Sequence, residues 1–262
     1  MNPVLIVVII VLVLLGIKGA FKGLFKILFS IVTLIACILI AGFITVPVAN
    51  GLKANTGMYD GIDGFVYDTV KDNKNLNNKI DSSFALMNID SEMTISAEYV
   101  PALESNSTLI ATALNANIDG YFLPPLVKDN LKVTAEDVNE NIKAGMTVKD
   151  TVIHTFSQKL SWIIYVVIIF IILFIILEII FWIIFRILNV FSRLPGLSTI
   201  NRIGGFAIGI FEGLLIVWLG FMVLTLFAGT AFGMSCFEQI NSDAFLSFIY
   251  NNNLIMKLLG FA

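Results

Sequence analysis

The sequence predicts an all-α, polytopic membrane protein: four transmembrane helices in two hairpins, with a mostly helical insert outside the cytoplasm. Three observations predict it. The 262 residues are 58% apolar and only 13% charged, against about 45–50% and about 25% in ordinary soluble domains, and the mean hydropathy is +0.92. Four stretches reach the roughly 20 apolar residues that a ~30 Å hydrocarbon layer demands at ~1.5 Å of helical rise per residue. The polar residues are gathered mainly into one central segment. This composition excludes an ordinary cytosolic domain and a disordered chain. Net charge is 16 − 19 = −3, with no basic stripe, which excludes a nucleic-acid binder.

The first span runs from about Asn2 to Ala20, with an unbroken apolar run from Val4 to Leu15. It is short, so Lys18 must snorkel to the interface. No Lys or Arg precedes the run and Gly16-Ile17-Lys18 makes a poor cleavage site, so the expectation is an anchor rather than a cleaved signal. The second span, about Gly23 to Val46, closes at Pro47. After Pro47 the chain becomes polar, Asn-rich and punctuated by Gly and Pro. Ile62, Val66, Thr69/Val70 and Asn73 fall at the spacing of a short amphipathic helix. Thr134 to Asp137 and Thr147 to Asp150 are capping-box-like starts, a hydroxyl followed three residues later by a carboxylate. From the second of these, Val148, Val152, Phe156 and Lys159/Leu160 carry a helical period straight toward the third span. Pro101, Gly120 and Pro124-Pro125 mark turns, and a strand is conceivable near Met93–Val100. The expectation for this segment is a helical cap on the outer membrane face, with a ligand-binding domain as the alternative.

The third span, about Ser161 to Phe185, is interrupted by one charge, Glu178. The fourth, about Ile203 to Ala228, is rich in glycine and holds Glu212. The tail from Cys236 is too polar to span, and its spaced apolar residues predict an amphipathic helix lying in the interface. The domains are therefore 1–48, first hairpin; 49–159, polar insert; 160–231, second hairpin; and 232–262, interfacial segment.

Lys and Arg in short loops set orientation. Lys18, Lys22 and Lys26 surround the first turn, and Arg186, Arg193 and Arg202 the second, so both turns are expected in the cytoplasm and the N-terminus, insert and C-terminus outside. The insert, residues 49–159, carries nine Lys and fifteen Asp or Glu, 9 − 15 = −6. At that length it has little say in topology.

Recognised catalytic chemistry is absent. Cys37 and Cys236 lie on different elements, with no CxxC pair or zinc spacing. His154, the sole histidine, has no partner motif and reads as a surface or packed residue; no HExxH, GxSxG or P-loop occurs. Asn106-Ser107-Thr108 fits a glycosylation triplet by letter only. The expectations are no enzyme, no catalytic residue, no metal and no cofactor.

Two intramembrane acids remain. An ionisable group in hydrocarbon is costly and marks a candidate functional position. Glu178 lies eight residues from Arg186, about 12 Å deep, and Glu212 nine residues from Ile203, about 13–14 Å deep. Coming from oppositely running spans, both can face one bundle interior. Two readings stand: buried acids held neutral or paired with a base of another helix, or a proton or ion relay.

Gly205, Gly209 and Gly213 recur every four residues, the stripe that lets helix backbones approach closely in lipid. Gly19 and Gly23 form a smaller version around the first turn. Gly19 to Phe25 matches Gly209 to Leu215 at four of seven positions, which suggests a parallel internal repeat of hairpins. The repeat sets Lys22 against Glu212, with Lys26, one turn deeper, the other candidate partner.

The first hairpin, GIKGAFKGLFKILFSIVTLIACILIAGFI, resembles the start of the colicin V production (CvpA-like) membrane proteins, an apolar helix, a Gly-rich basic turn and a second apolar helix. Leu194-Pro195-Gly196, then Asn201-Arg202 followed by Gly205, Gly209 and Gly213, is similar to the N-R-x-x-G-x-x-x-G-x-x-x-G segment of that family, and the polar tail Ser242–Gly260 also looks like the family's C-terminus. The resemblance covers residues 1–48 and 160–262, and nothing in the insert. It implies a multi-pass protein of the bacterial cytoplasmic (inner) membrane, associated with colicin V (toxin or bacteriocin) production or export. Arg202, Gly205, Gly209, Gly213 and the Gly19/Gly23 turn carry over as motif and packing positions. Two other classes compete: a small solute or ion channel or transporter using Glu178 and Glu212, and a non-catalytic envelope scaffold. Expected partners are membrane lipid and further copies of the chain or other envelope membrane proteins, not nucleic acid.

Overall fold

The computed structural model describes residues 2–86, 90–119, 125–187 and 199–261. Among them the architecture is helical, and four helices are long and apolar enough to cross a membrane: α1 (Pro3–Lys22), α2 (Leu24–Asn55), α9 (Val148–Ile187) and α10 (Thr199–Thr225). Between them lie α3 (Met58–Lys71), α4 (Lys74–Leu86), α5 (Val100–Ser105), α6 (Ser107–Asp119), α7 (Pro125–Leu131) and α8 (Ala135–Asn141). Three short helices close the chain, α11 (Ala231–Ser242), α12 (Ala244–Asn251) and α13 (Leu254–Leu258). The expected single amphipathic tail helix is thus three, each started by its own side-chain cap: Thr230, Asp243 and Asn253.

Asn2 caps α1, its side chain accepting from the Leu5 N–H, and Pro3 fills the first helical position, where a missing N–H is harmless. One residue, Gly23, makes the whole turn into α2, at φ 78° and ψ 160°. A side chain strains that backbone, which glycine does not. α2 does not close at Pro47. It continues to Asn55 with Pro47 inside it, because spans tolerate the lost N–H when neighbouring structure covers the freed groups. α9 is continuous over 40 residues, joining the insert to the membrane as the Val148–Leu160 spacing predicts.

Helices adjacent in the chain are not the main packing partners. α1 packs most extensively on α10, and α2 on α9. The α1/α10 contact is antiparallel: a Cβ added at Gly19 would drive into the Gly205 carbonyl, one at Gly209 into the Leu15 carbonyl, and one at Gly213 would meet Leu12 Cδ2 at 3.1 Å. This overturns the alignment on which the repeat rests. Gly19 lies on α1, which runs opposite to α10, and the seven-residue match straddles the Gly23 turn.

The Gly23 turn, the end of α9 and the start of α10 lie at one end of the bundle, where the Leu24 N–H donates to Asn201 Oδ1 across 2.7 Å. The other end gathers the N-terminus, the insert and the C-terminal helices: Asn2 Nδ2 donates to the Gln239 carbonyl at 2.7 Å, Asn73 Nδ2 to the Gly229 carbonyl at 3.2 Å, and Trp218 Nε1 to the Ile249 carbonyl at 2.9 Å.

Ile80, Phe84, Ile95, Ile118, Leu131, Val138 and Val152 of the insert are all buried, in one apolar cluster that continues into the spans. Asn115 exchanges two hydrogen bonds with the Val133 backbone, at 2.9 and 2.8 Å, and so supplies the partner that a strand would otherwise provide. No strand forms near Met93–Val100; Thr94 makes an isolated antiparallel bridge to Thr147. The Thr134–Asp137 capping box is present. Gly120 and Pro124, expected turn positions, lie outside the described residues, as do Arg193 and Leu194-Pro195-Gly196. Lys149 holds Asp81 at 2.8 Å and Glu92 at 3.1 Å, and Lys159 holds Asp137 at 2.8 Å.

A charged cleft and a buried carboxylate in the membrane bundle

The two intramembrane acids both lie against α2, and their surroundings differ. Glu212, on α10, is buried. The Ser30 hydroxyl of α2 donates to its Oε1 at 3.2 Å, and Lys18 Nζ of α1 lies 3.5 Å from the same oxygen. Oε2 is buried with no partner among the described residues. Glu212 therefore joins three spans: a hydroxyl from one, an ammonium from the second and the carboxylate of the third. An isolated buried charge costs several kcal/mol, and these two groups offset part of that penalty.

The expected partners were Lys22 and Lys26; the structure instead pairs Glu212 with Lys18, one turn before Lys22. The reason is direction. Lys18 stands on the face of α1 that Gly19 brings against α10, so its half-exposed stem runs along the seam while its head reaches the acid. Lys22, Lys26 and Arg186 form no ion pair with any described carboxylate.

Those three cations instead line a cavity of about 620 Å³ between α2 and α9, together with Ser30, Thr33, Glu178, Trp182 and Phe185. The sequence builds it from two stripes. Lys26, Ser30, Thr33 and Cys37 recur at intervals of four, three and four, one polar face of α2; Glu178, Trp182 and Arg186 recur every four, one face of α9. Arg186 and Lys26 stand toward the turn end. Glu178 stands at the far end, where the Cys37 thiol is within hydrogen-bonding reach of its carboxyl group and Oε1 is buried with no partner. Arg186 rests over the Trp182 ring, 5.2 Å from its centroid. Phe29 and Phe185 meet edge to face at 4.7 Å and close the packing beside the cleft.

Of the other sequence candidates, Arg202 points outward and is exposed, whereas Gly205, Gly209 and Gly213 are buried in the seam. Gly23 makes the turn and is also buried against the ridge, its carbonyl carbon 3.1 Å from where a Cβ on Gly205 would stand. His154 stacks on Tyr67 with ring centroids 4.2 Å apart. No cluster of three His, Cys, Asp or Glu able to hold a metal occurs among the described residues.

Sequence reasoning missed Lys18, Ser30 and Asn201 as site or anchoring residues. The available signals were faint: a lone Asn at the start of an apolar span, and a hydroxyl one turn into another. Asn201 acts as an N-cap supplied from a distant helix, satisfying a donor that the α2 start cannot bond internally.

At the other end, the Tyr59 hydroxyl, which faces Asp63 and Asp60, has its pKa pushed up to about 12, first by burial and then by those charges. Lys53 Nζ sits 3.8 Å from the Tyr59 ring centroid. In the insert, burial alone would raise the Asp81 carboxyl, but hydrogen bonds from Lys149 and Ser91 outweigh it and hold its pKa below the usual value. Asp137 follows the same pattern through Lys159 and Thr134.

Residues 141–251 match the family described as Colicin V production protein. The matched stretch takes in α9 to α12, with Glu178, Asn201, Arg202, the glycine ridge and Glu212. It leaves α1 and α2 outside, and it reaches into the insert, where sequence reading found no likeness. No curated protein and no solved structure matches the chain.

Proposed function

We propose, from the likeness of residues 141–251 to the Colicin V production proteins, that this multi-pass membrane protein supports the production or export of a colicin V type toxin. It does so from the bacterial cytoplasmic membrane as a non-enzymatic factor. The basic turns face the cytoplasm and the insert faces outward. Its partners are lipid and further membrane proteins, copies of itself included, against the exposed apolar faces of α1 and α9.

The observation that carries a working role for the membrane bundle is the Glu212 junction. A buried carboxylate shared by three spans makes their packing dependent on one charge. Replacing Glu212 by Gln keeps the shape and removes that charge. In cells making a colicin V type toxin and lacking this protein, wild type is expected to restore secretion. Glu212→Gln, at equal membrane level, is expected to restore less. Full secretion without the protein would contradict the role.

A second reading, a small solute or ion transporter, is favoured by the buried, unpartnered Glu178 Oε1 at the end of an open cleft. Proteoliposomes test it: flux that Glu212→Gln or Glu178→Gln abolishes selects transport, and its absence leaves the accessory role.

A further inference from the structure

Lys22, Lys26 and Arg186 converge on one cavity from the ends of three helices, and none forms an ion pair with a described carboxylate, although Glu212 attracts Lys22 at longer range and Glu178 shares the cavity. Three like charges gathered around one concavity call for an anion. The other polar groups of the cleft decide where that anion sits. Thr33 donates its proton to the Phe29 carbonyl at 3.0 Å, and Ser30 donates to Glu212. Deep in the cleft, Ser30, Thr33 and Glu178 Oε1 therefore offer oxygen acceptors, whereas the donors stand at the mouth. An anionic group is held at the mouth, level with the ends of the spans.

The walls decide what carries the anion. Trp182 lines the cavity and is 60% exposed, so the cleft opens sideways through the flank of the bundle. Beside it Leu28 and Val32 of α2 and Ile175, Ile179 and Ile183 of α9 are exposed apolar residues, which fit acyl chains. A basic pocket between spans, level with the headgroups and bordered by apolar helix faces, fits an anionic lipid. We propose that the cleft is a binding site for the phosphate of an anionic phospholipid, held by Lys22, Lys26 and Arg186, with its chains along α2 and α9.

Full-length protein in neutral detergent, given phosphatidylglycerol and phosphatidylcholine in equal amounts and analysed by native mass spectrometry, tests this. Phosphatidylglycerol is expected to be retained in preference. Lys26→Gln combined with Arg186→Gln is expected to weaken retention about 25-fold, at about fivefold per cation removed. Arg186→Lys, which keeps the charge, guards against misfolding and is expected to retain the lipid within a few fold, as is Lys53→Gln, at the other end of the bundle. Equal retention of the two lipids, unchanged retention in the double variant, or release by millimolar inorganic phosphate, which would assign the site to a free anion, would overturn the proposal.

Discussion

Along the α1/α10 seam, Gly19 and Gly205 bring two backbones into direct contact. Along the α2/α9 pair, by contrast, Lys26, Ser30 and Thr33 face Glu178, Trp182 and Arg186 across a cavity. Both pairs are antiparallel and both carry one glutamate. At the seam the glutamate is enclosed and paired with Lys18; at the cleft it ends an open cavity of polar groups, whose cations form no ion pair with a described carboxylate. The difference teaches how a small bundle divides its labour. In lipid no hydrophobic force draws apolar helices together, so one pair secures the assembly by backbone proximity. That leaves the other free to stand apart and hold polar groups.

The largest expected effect comes from breaking the seam. Gly205→Ala places a methyl against the Gly19 carbonyl and is expected to destabilise by about 1–3 kcal/mol, as overpacking does. Gly220, on the same helix, has nothing within 4 Å of an added Cβ, so Gly220→Ala is expected to be neutral or stabilising by its helix propensity. Thermal unfolding of the two variants in detergent separates them. Equal melting temperatures would mean that the seam does not hold the bundle.

A smaller effect distinguishes the insert from both pairs. The folded pKa values of Asp81 and Asp137 are depressed, so the stability they contribute is present above the unfolded value, about 3.9, and is lost as pH falls through the folded values. Acidification below about pH 4 is therefore expected to loosen the insert while the spans stay helical. The size is modest, because Asp81 is partly exposed and screened by solvent. Hydrogen exchange of α4 and α8 against α10 follows it; simultaneous loss of protection would contradict the separation.

Much of this arrangement was legible in the residues. The four spans, the capping box at Thr134, the continuous α9 and the Gly205/Gly209/Gly213 ridge all follow from local periods. A period names the face a helix presents and not the helix it meets, so α1 as the partner of that ridge was not readable. Lys18 read as a snorkelling residue for the same reason: its partner, Glu212, lies on another helix far along the chain. The Gly19–Phe25 match suggested a repeat because seven letters cannot reveal a turn at Gly23. The cleft was half legible, since Glu178, Lys22 and Lys26 stood out as charges. The register setting Ser30 and Thr33 opposite Glu178 depends on how α2 packs against α9.

The central claim is that the seam is dry and the cleft is open to water from the turn end. It is tested most directly by thiol labelling of single cysteines in a Cys37→Ala, Cys236→Ser background, in neutral detergent free of anionic lipid. Thr33→Cys in the cleft is expected to react with a charged methanethiosulfonate at least tenfold faster than Leu12→Cys, packed against Gly213, because only a hydrated thiol ionises readily. Equal rates at the two positions, or faster labelling of Leu12→Cys, would contradict it.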